Sequence, residues 1–170
     1  MEMCRVIPRQ YALALPAMFV AASSTMFTWS AAAQTCEAPL LLTEGVNHAN
    51  TCLATNSLPV LGSLWIPHRD VVYAFTISAG MGNGTISVDA DFPAVFLLVP
   101  APCSTSSEPV AVALPGEPMF IDGSLPPGAY YVVATGEPGL GGDICGLVAL
   151  TPKWPGGVFD VIFVGSFEFH

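Results

Sequence analysis

The chain has 170 residues, 52% of them apolar, with 13 Asp and Glu against four Lys and Arg and a net charge of −9. That length suits one domain with its own core. Charge this negative repels phosphate backbones and anionic membrane surfaces, which excludes nucleic acid as a partner.

Residues 1–33 come first. Arg5 and Arg9 precede an apolar run over residues 11–29, and Ser30-Ala31-Ala32-Ala33 then offers an A-x-A cleavage site before Gln34. This is the pattern of a secretory signal peptide. An uncleaved anchor is the alternative, but Pro16, Ser23, Ser24 and Thr25 interrupt the run. A lipoprotein would need a cysteine directly after the small-residue box, and Cys36 follows Gln34 and Thr35 instead. The expected location is secreted or periplasmic, with no stable membrane span after cleavage. Without Glu2, Arg5 and Arg9, 12 acids face only Arg69 and Lys153, a net charge of −10.

Of five cysteines, Cys4 leaves with the signal. Cys36, Cys52, Cys103 and Cys145 remain, and an even number in an oxidising space predicts two disulfides. Three connectivities are open. Cys36–Cys52 with Cys103–Cys145 is the favoured one, because the first pair is local and the second then closes the main sheet. A metal site on these cysteines is disfavoured, since no C-x-x-C occurs and His48, His68 and His170 are scattered.

The exported part divides into a cysteine-bearing lead-in segment (34–57), a β domain (58–151) and a C-terminal strand or tail (152–170). Gly and Pro fall between apolar runs, and no sustained 3.6-residue period appears. The lead-in reads as irregular. Residues 58–66 read as an edge strand limited by Pro59 and Gly62. In 70–78, Val71, Tyr73, Phe75 and Ile77 share one face. Residues 79–84 read as a hairpin connection and 85–89 as an alternating strand with Ile86 and Val88 inward. Residues 95–99 are continuously apolar, as in a strand covered on both faces. Shorter strands are predicted at 110–114 and 119–121, and longer ones at 129–135 and 145–151. Seven or eight short strands at this spacing predict an antiparallel β-sandwich or barrel.

Several segments also look like a known family. Asp70-Val71-Val72-Tyr73-Ala74-Phe75-Thr76, Thr85-Ile86-Ser87-Val88 with Asp91-Phe92 and Val95-Phe96-Leu97-Leu98, the run Leu125-Pro126-Pro127-Gly128-Ala129-Tyr130-Tyr131-Val132-Val133, and Cys145-Gly146 before 147–151 occur in one order. In that order they resemble the bacterial pre-peptidase C-terminal domain. The resemblance spans about residues 36–151. It implies an all-β, antiparallel jelly-roll-like β-sandwich of about eight strands from an exported protein. Family members usually sit beside a secreted peptidase or hydrolase, and no such enzyme domain accompanies the β domain in these 170 residues. No motif transfers a calcium or polymer site residue by residue.

Candidate chemistry is sparse. No G-x-S-x-G turn is present, and the three His would meet only by accident of folding. Asp89 and Asp91 could ligate structural Ca²⁺ with a carbonyl or with Glu37 or Glu44, although a D-x-D at a strand end is more often a solvated turn. No other cofactor is expected. Asn83-Gly84-Thr85 matches a glycosylation sequon but reads as a turn. Trp65, Tyr73, Tyr130, Tyr131 and Trp154 are aromatics that either fill the core or form a binding face; Trp65, Tyr130, Tyr131 and Trp154 are the ligand-binding candidates. In the tail, Phe159, Val161, Phe163 and Phe167 fall on one face of a period-2 pattern. That pattern reads as the last strand of the sandwich, or as a free strand able to add to another sheet edge. It also faintly resembles the "I-F-x-D-G-F-E" ending of some exported proteobacterial proteins.

The expected function is an exported non-catalytic module with an accessory or binding role toward an extracellular polymer, glycan or protein. One alternative is a structural or assembly subunit that pairs through its C-terminal strand. The other is an enzyme with an unrecognised site.

Overall fold

A computed structural model describes residues 34–155. The signal segment and the tail strand read from the sequence lie outside those residues.

Two sheets face each other. The first, sheet A, has the order β1-β5-β10-β7-β8, made of β1 (Leu40–Leu41), β5 (Asp70–Ile77), β10 (Gly128–Gly136), β7 (Ala94–Pro100) and β8 (Ala111–Ala113). Sheet B has the order β2-β11-β6-β9, made of β2 (Asn47–Asn50), β11 (Leu147–Lys153), β6 (Gly84–Ala90) and β9 (Pro118–Ile121). A hairpin of β3 (Val60–Leu61) and β4 (Leu64–Trp65) stands apart. Without β1 and the hairpin, the eight strands follow the order of a jelly roll with four in each sheet. The chain is an all-β sandwich, and β1 joins sheet A as a short parallel addition to β5.

Strand alternation explains which faces are buried. Val71, Tyr73, Phe75 and Ile77 of β5 meet Ile86 and Val88 of β6 and Val148 and Leu150 of β11 in the central core. The opposite parity of sheet A is buried too. Val72, Val95, Leu97, Val99 and Val133 pack under Leu58, Leu61 and Ile66. Sheet A is therefore covered on both faces, which is why residues 95–99 carry no polar side chain. Sheet B alternates buried Ile86 and Val88 with exposed Ser87 and Asp89, the signature of a sheet with one wet face.

Four expectations change. Residues 58–66 form a two-stranded hairpin rather than one strand, because Gly62 turns the chain at φ +58°. Residues 79–84 are no hairpin: β5 and β6 lie in different sheets, so the segment crosses the end of the sandwich. The lead-in gives one strand to each sheet, held by Leu42 N–H on Ala74 O (2.9 Å) and by the β2–β11 ladder. The favoured disulfide pairing is also corrected. Cys36 pairs with Cys103 and Cys52 with Cys145. β2 runs beside β11 and sets Cys52 near its start, whereas Cys36 and Cys103 meet beside the outer apolar cluster of sheet A. Position in the folded sandwich decides the partners, and nearness along the chain does not.

Two glycines show how the ends are closed. Glu117 N–H donates to Leu114 O (3.0 Å) across Pro115-Gly116, with Gly116 at φ +82°, so a type II turn carries the chain from β8 to β9. At Gly84 the constraint is space: a Cβ there would lie 2.3 Å from Trp154 Cε2. Trp154 packs at the core margin against Phe75, with ring centroids 5.9 Å apart. Gly84→Ala is expected to displace this ring and lower stability by about 1–3 kcal/mol, the usual cost of overpacking. A red shift of indole fluorescence in the folded variant would report it. An unchanged spectrum and unchanged stability would contradict this account.

Candidate functional site

The open face of sheet B gathers side chains from four strands. Registry places His48 of β2 opposite Ala149 of β11, and Ala149 opposite Asp89 of β6. One row holds a histidine and a carboxylate on either side of a methyl group. The small Ala149 lowers the floor between them, and a shallow groove of about 240 Å³ follows, lined also by Asp91, Leu147 and Val148. Further along the strands, Thr151, Ser87 and Pro118 form a second row, and Lys153, Thr85 and Phe120 a third. Four residue steps along β6, from Asp89 to Thr85, separate the groove row from the Phe120 row, roughly 14 Å at strand rise. Phe120 is 70% exposed although it lies on a paired strand.

Hydrogen bonds hold the groove's acidic wall. Asp91 Oδ1 accepts from Leu147 N–H at 2.8 Å and fixes the start of β11, and Asp91 N–H donates to Leu147 O at 3.2 Å. A side chain at Gly146 would strike this carboxylate, since a Cβ there lies 2.2 Å from Asp91 Oδ1. Asp89 Oδ1 accepts from Ala90 N–H at 2.9 Å. Glu37 is occupied elsewhere: Thr35 donates to it at 2.8 Å, and that bond holds its carboxyl below the usual carboxylate range. Among the described residues, no three His, Cys, Asp or Glu side chains converge as a metal site would require.

The other sequence candidates are dispersed. His68 is buried just ahead of β5, where its ring stands 2.8 Å from the place a Cβ on Gly136 would take. His48 is exposed on β2, so the two described histidines share no site. Trp65 stands on the β3–β4 hairpin over sheet A and is 63% exposed. Tyr130 is buried in the central core, with its hydroxyl donating to Pro126 O at 2.9 Å. Trp154 closes the same core, and Tyr131 packs on the opposite face of sheet A. These four aromatics do not form one surface. His170 and the tail residues Phe159, Val161, Phe163 and Phe167 lie outside the described residues.

Sequence reading passed over two features. Phe120 was expected within a short strand, but its outward orientation depends on the parity of Met119 and Ile121, both buried. Asp70 reads as the polar start of a strand, yet it is only 1% exposed. Its carboxylate accepts from Ser57 N–H (2.7 Å), Leu58 N–H (2.9 Å) and the Ser57 hydroxyl. Burial pushes the Asp70 carboxyl up, against the pull of these donors. Burial likewise raises the Tyr73 hydroxyl.

No family model matches the chain, and no curated protein matches it. Among solved structures, the chain is similar to the pre-peptidase C-terminal domain of a collagenase from Bacillus anthracis. Identity is 16% over 67% of this chain and 93% of that one, with a TM-score of 0.43. It is also similar to the Yersinia pseudotuberculosis-derived mitogen, at 6% identity over 69% of this chain and 90% of that one, with a TM-score of 0.42.

Proposed function

We propose that the chain is an exported, non-catalytic jelly-roll module that binds an extended extracellular polysaccharide across the open face of sheet B. The observation that carries this reading is the asymmetry of the sandwich. Sheet A is buried on both faces, and sheet B on one. The face left wet carries Phe120 at one end of a polar track and the His48–Asp89 groove at the other. Ring faces stack on sugars, while hydroxyls, imidazole and carboxylates can pair with sugar hydroxyls. Rigid strands present them at little entropic cost. The acidic charge favours a neutral or cationic polymer over a sulfated or phosphorylated one. The disulfides Cys36–Cys103 and Cys52–Cys145 fit an oxidising space outside the cytosol.

The test is affinity electrophoresis through gels holding neutral, cationic or sulfated polysaccharides. Retardation by a neutral or cationic polymer is expected. Phe120→Ala combined with Asp89→Ala should weaken it at least tenfold without moving the thermal midpoint. A wild-type chain that no polymer retards, or a variant retarded equally, would overturn the reading.

A further inference from the structure

We propose that Gln34, made the first residue by cleavage after Ala33, closes to a pyroglutamate that caps the edge of β5 and blocks the amino end of the exported chain. The proposal rests on export with that cleavage and not on the polysaccharide reading.

The edge of β5 away from β10 is covered in three steps. Asp70 N–H donates to Thr55 O (3.1 Å), Val72 N–H donates to Gln34 O (3.0 Å), and Leu42 N–H, just after β1, donates to Ala74 O (2.9 Å). Gln34 thus fills the place between Thr55 and β1, and its carbonyl satisfies the amide of buried Val72. A turn follows, in which Ala38 N–H donates to Thr35 O (3.2 Å), and Cys36 is bridged to Cys103. The residue that cleavage makes first is therefore paired into sheet A.

Its side chain lies on the protein as well. Gln34 is half-buried, and its Oε1 is buried and accepts no hydrogen bond among the described residues. An ammonium carried by this residue would give up part of its hydration in the same place. One reaction removes that charge with groups of Gln34 alone. The α-nitrogen attacks Cδ, the N–Cδ bond forms, the Cδ–Nε2 bond breaks, and a proton passes from the attacking nitrogen to the departing ammonia. Oε1 stays as the ring carbonyl. Neither oxidant nor water is consumed, and both reactants are tethered at the spacing of a five-membered ring. The main-chain carbonyl that holds Val72 is unaltered.

The intact mass of the exported product tests this, with Gln34→Asn as the comparison, since its shorter side chain would need a strained four-membered ring. The wild-type product should be one ammonia lighter than residues 34–170 with both disulfides formed, and after unfolding its α-nitrogen should resist acylation. The Gln34→Asn product should keep its ammonia and be acylated. Pyroglutamyl aminopeptidase should release the ring from the folded chain roughly tenfold more slowly than from the reduced, unfolded one, because the carbonyl must first leave Val72. A product that starts at Gln34 with a free amine overturns the proposal and leaves the export reading standing. A product that starts at another residue overturns the cleavage and the proposal together. Equal release from folded and unfolded chains overturns the seat on β5.

Discussion

Replacing Cys36, Cys52, Cys103 and Cys145 together with alanine is expected to remove about 6–9 kcal/mol of stability and to unfold the domain at room temperature. The disulfides close separations of 67 and 93 residues. Loops of that size restrict the unfolded chain by about 4–5 kcal/mol each in the chain-entropy description, and native strain usually trims the yield. The cost grows only with the logarithm of loop length, so the two single-bridge variants should differ by a few tenths of a kcal/mol. Any larger difference would come from local packing. Cys36–Cys103 packs against Leu58, Leu61 and Val99 on the outer face of sheet A. Cys52–Cys145 lies beside a network in which Thr51 N–H donates to Gly146 O (2.9 Å) and Gly146 N–H donates to the Thr51 hydroxyl (2.9 Å). That network should partly hold β2 against β11 after its bridge is lost. Denaturant titration followed by near-ultraviolet circular dichroism measures the loss. A four-alanine variant that keeps a cooperative transition with a midpoint near wild type would show that the two sheets hold without sulfur links.

The sandwich was legible where side chains alternate over five or more positions. Residues 70–77 and 85–89 declare their buried faces by period two, and 95–99 declares two buried faces by having no polar residue. The lead-in was not legible for a physical reason. Leu40–Leu41 is too short to show a period, and Asn47–Asn50 holds one buried residue, Ala49. Both strands exist because a neighbour offers a ladder, and no local preference announces it. Cys52 meets Cys145 through the β2–β11 ladder and Cys36 meets Cys103 over the outer cluster of sheet A, so a rule based on nearness along the chain failed. The open face was half legible. Asp89 and Ser87 read as wet positions, but nothing in the sequence says that His48 lies across Ala149 from Asp89. That row exists only because β11 sits between β2 and β6.

Replacing Asp70 separates the worth of its hydrogen bonds from the cost of its charge. Asp70→Ala leaves Ser57 N–H and Leu58 N–H without their acceptor at a buried place, and is expected to cost about 3–4 kcal/mol. Asp70→Asn should cost far less. Its one carbonyl can take both amides, and its NH₂ can donate to the Ser57 hydroxyl, which is able to accept. The pH dependence then has a definite sign. Burial raises the Asp70 carboxyl above its ordinary value, so the folded state keeps its proton to a higher pH than the unfolded state does. Unfolding in that window releases a proton, and stability falls as pH rises through it. The contribution is fully present below the ordinary carboxylate range and is lost once pH passes the raised folded value. Asp70→Asn has no such proton to lose. The stability of wild type relative to Asp70→Asn should therefore be greatest at low pH and decline as pH rises, read from urea titrations between about pH 3 and pH 7. A relative stability that instead grows with pH would mean that the Ser57 and Leu58 donors outweigh desolvation, and that Asp70 is held as a stabilised anion.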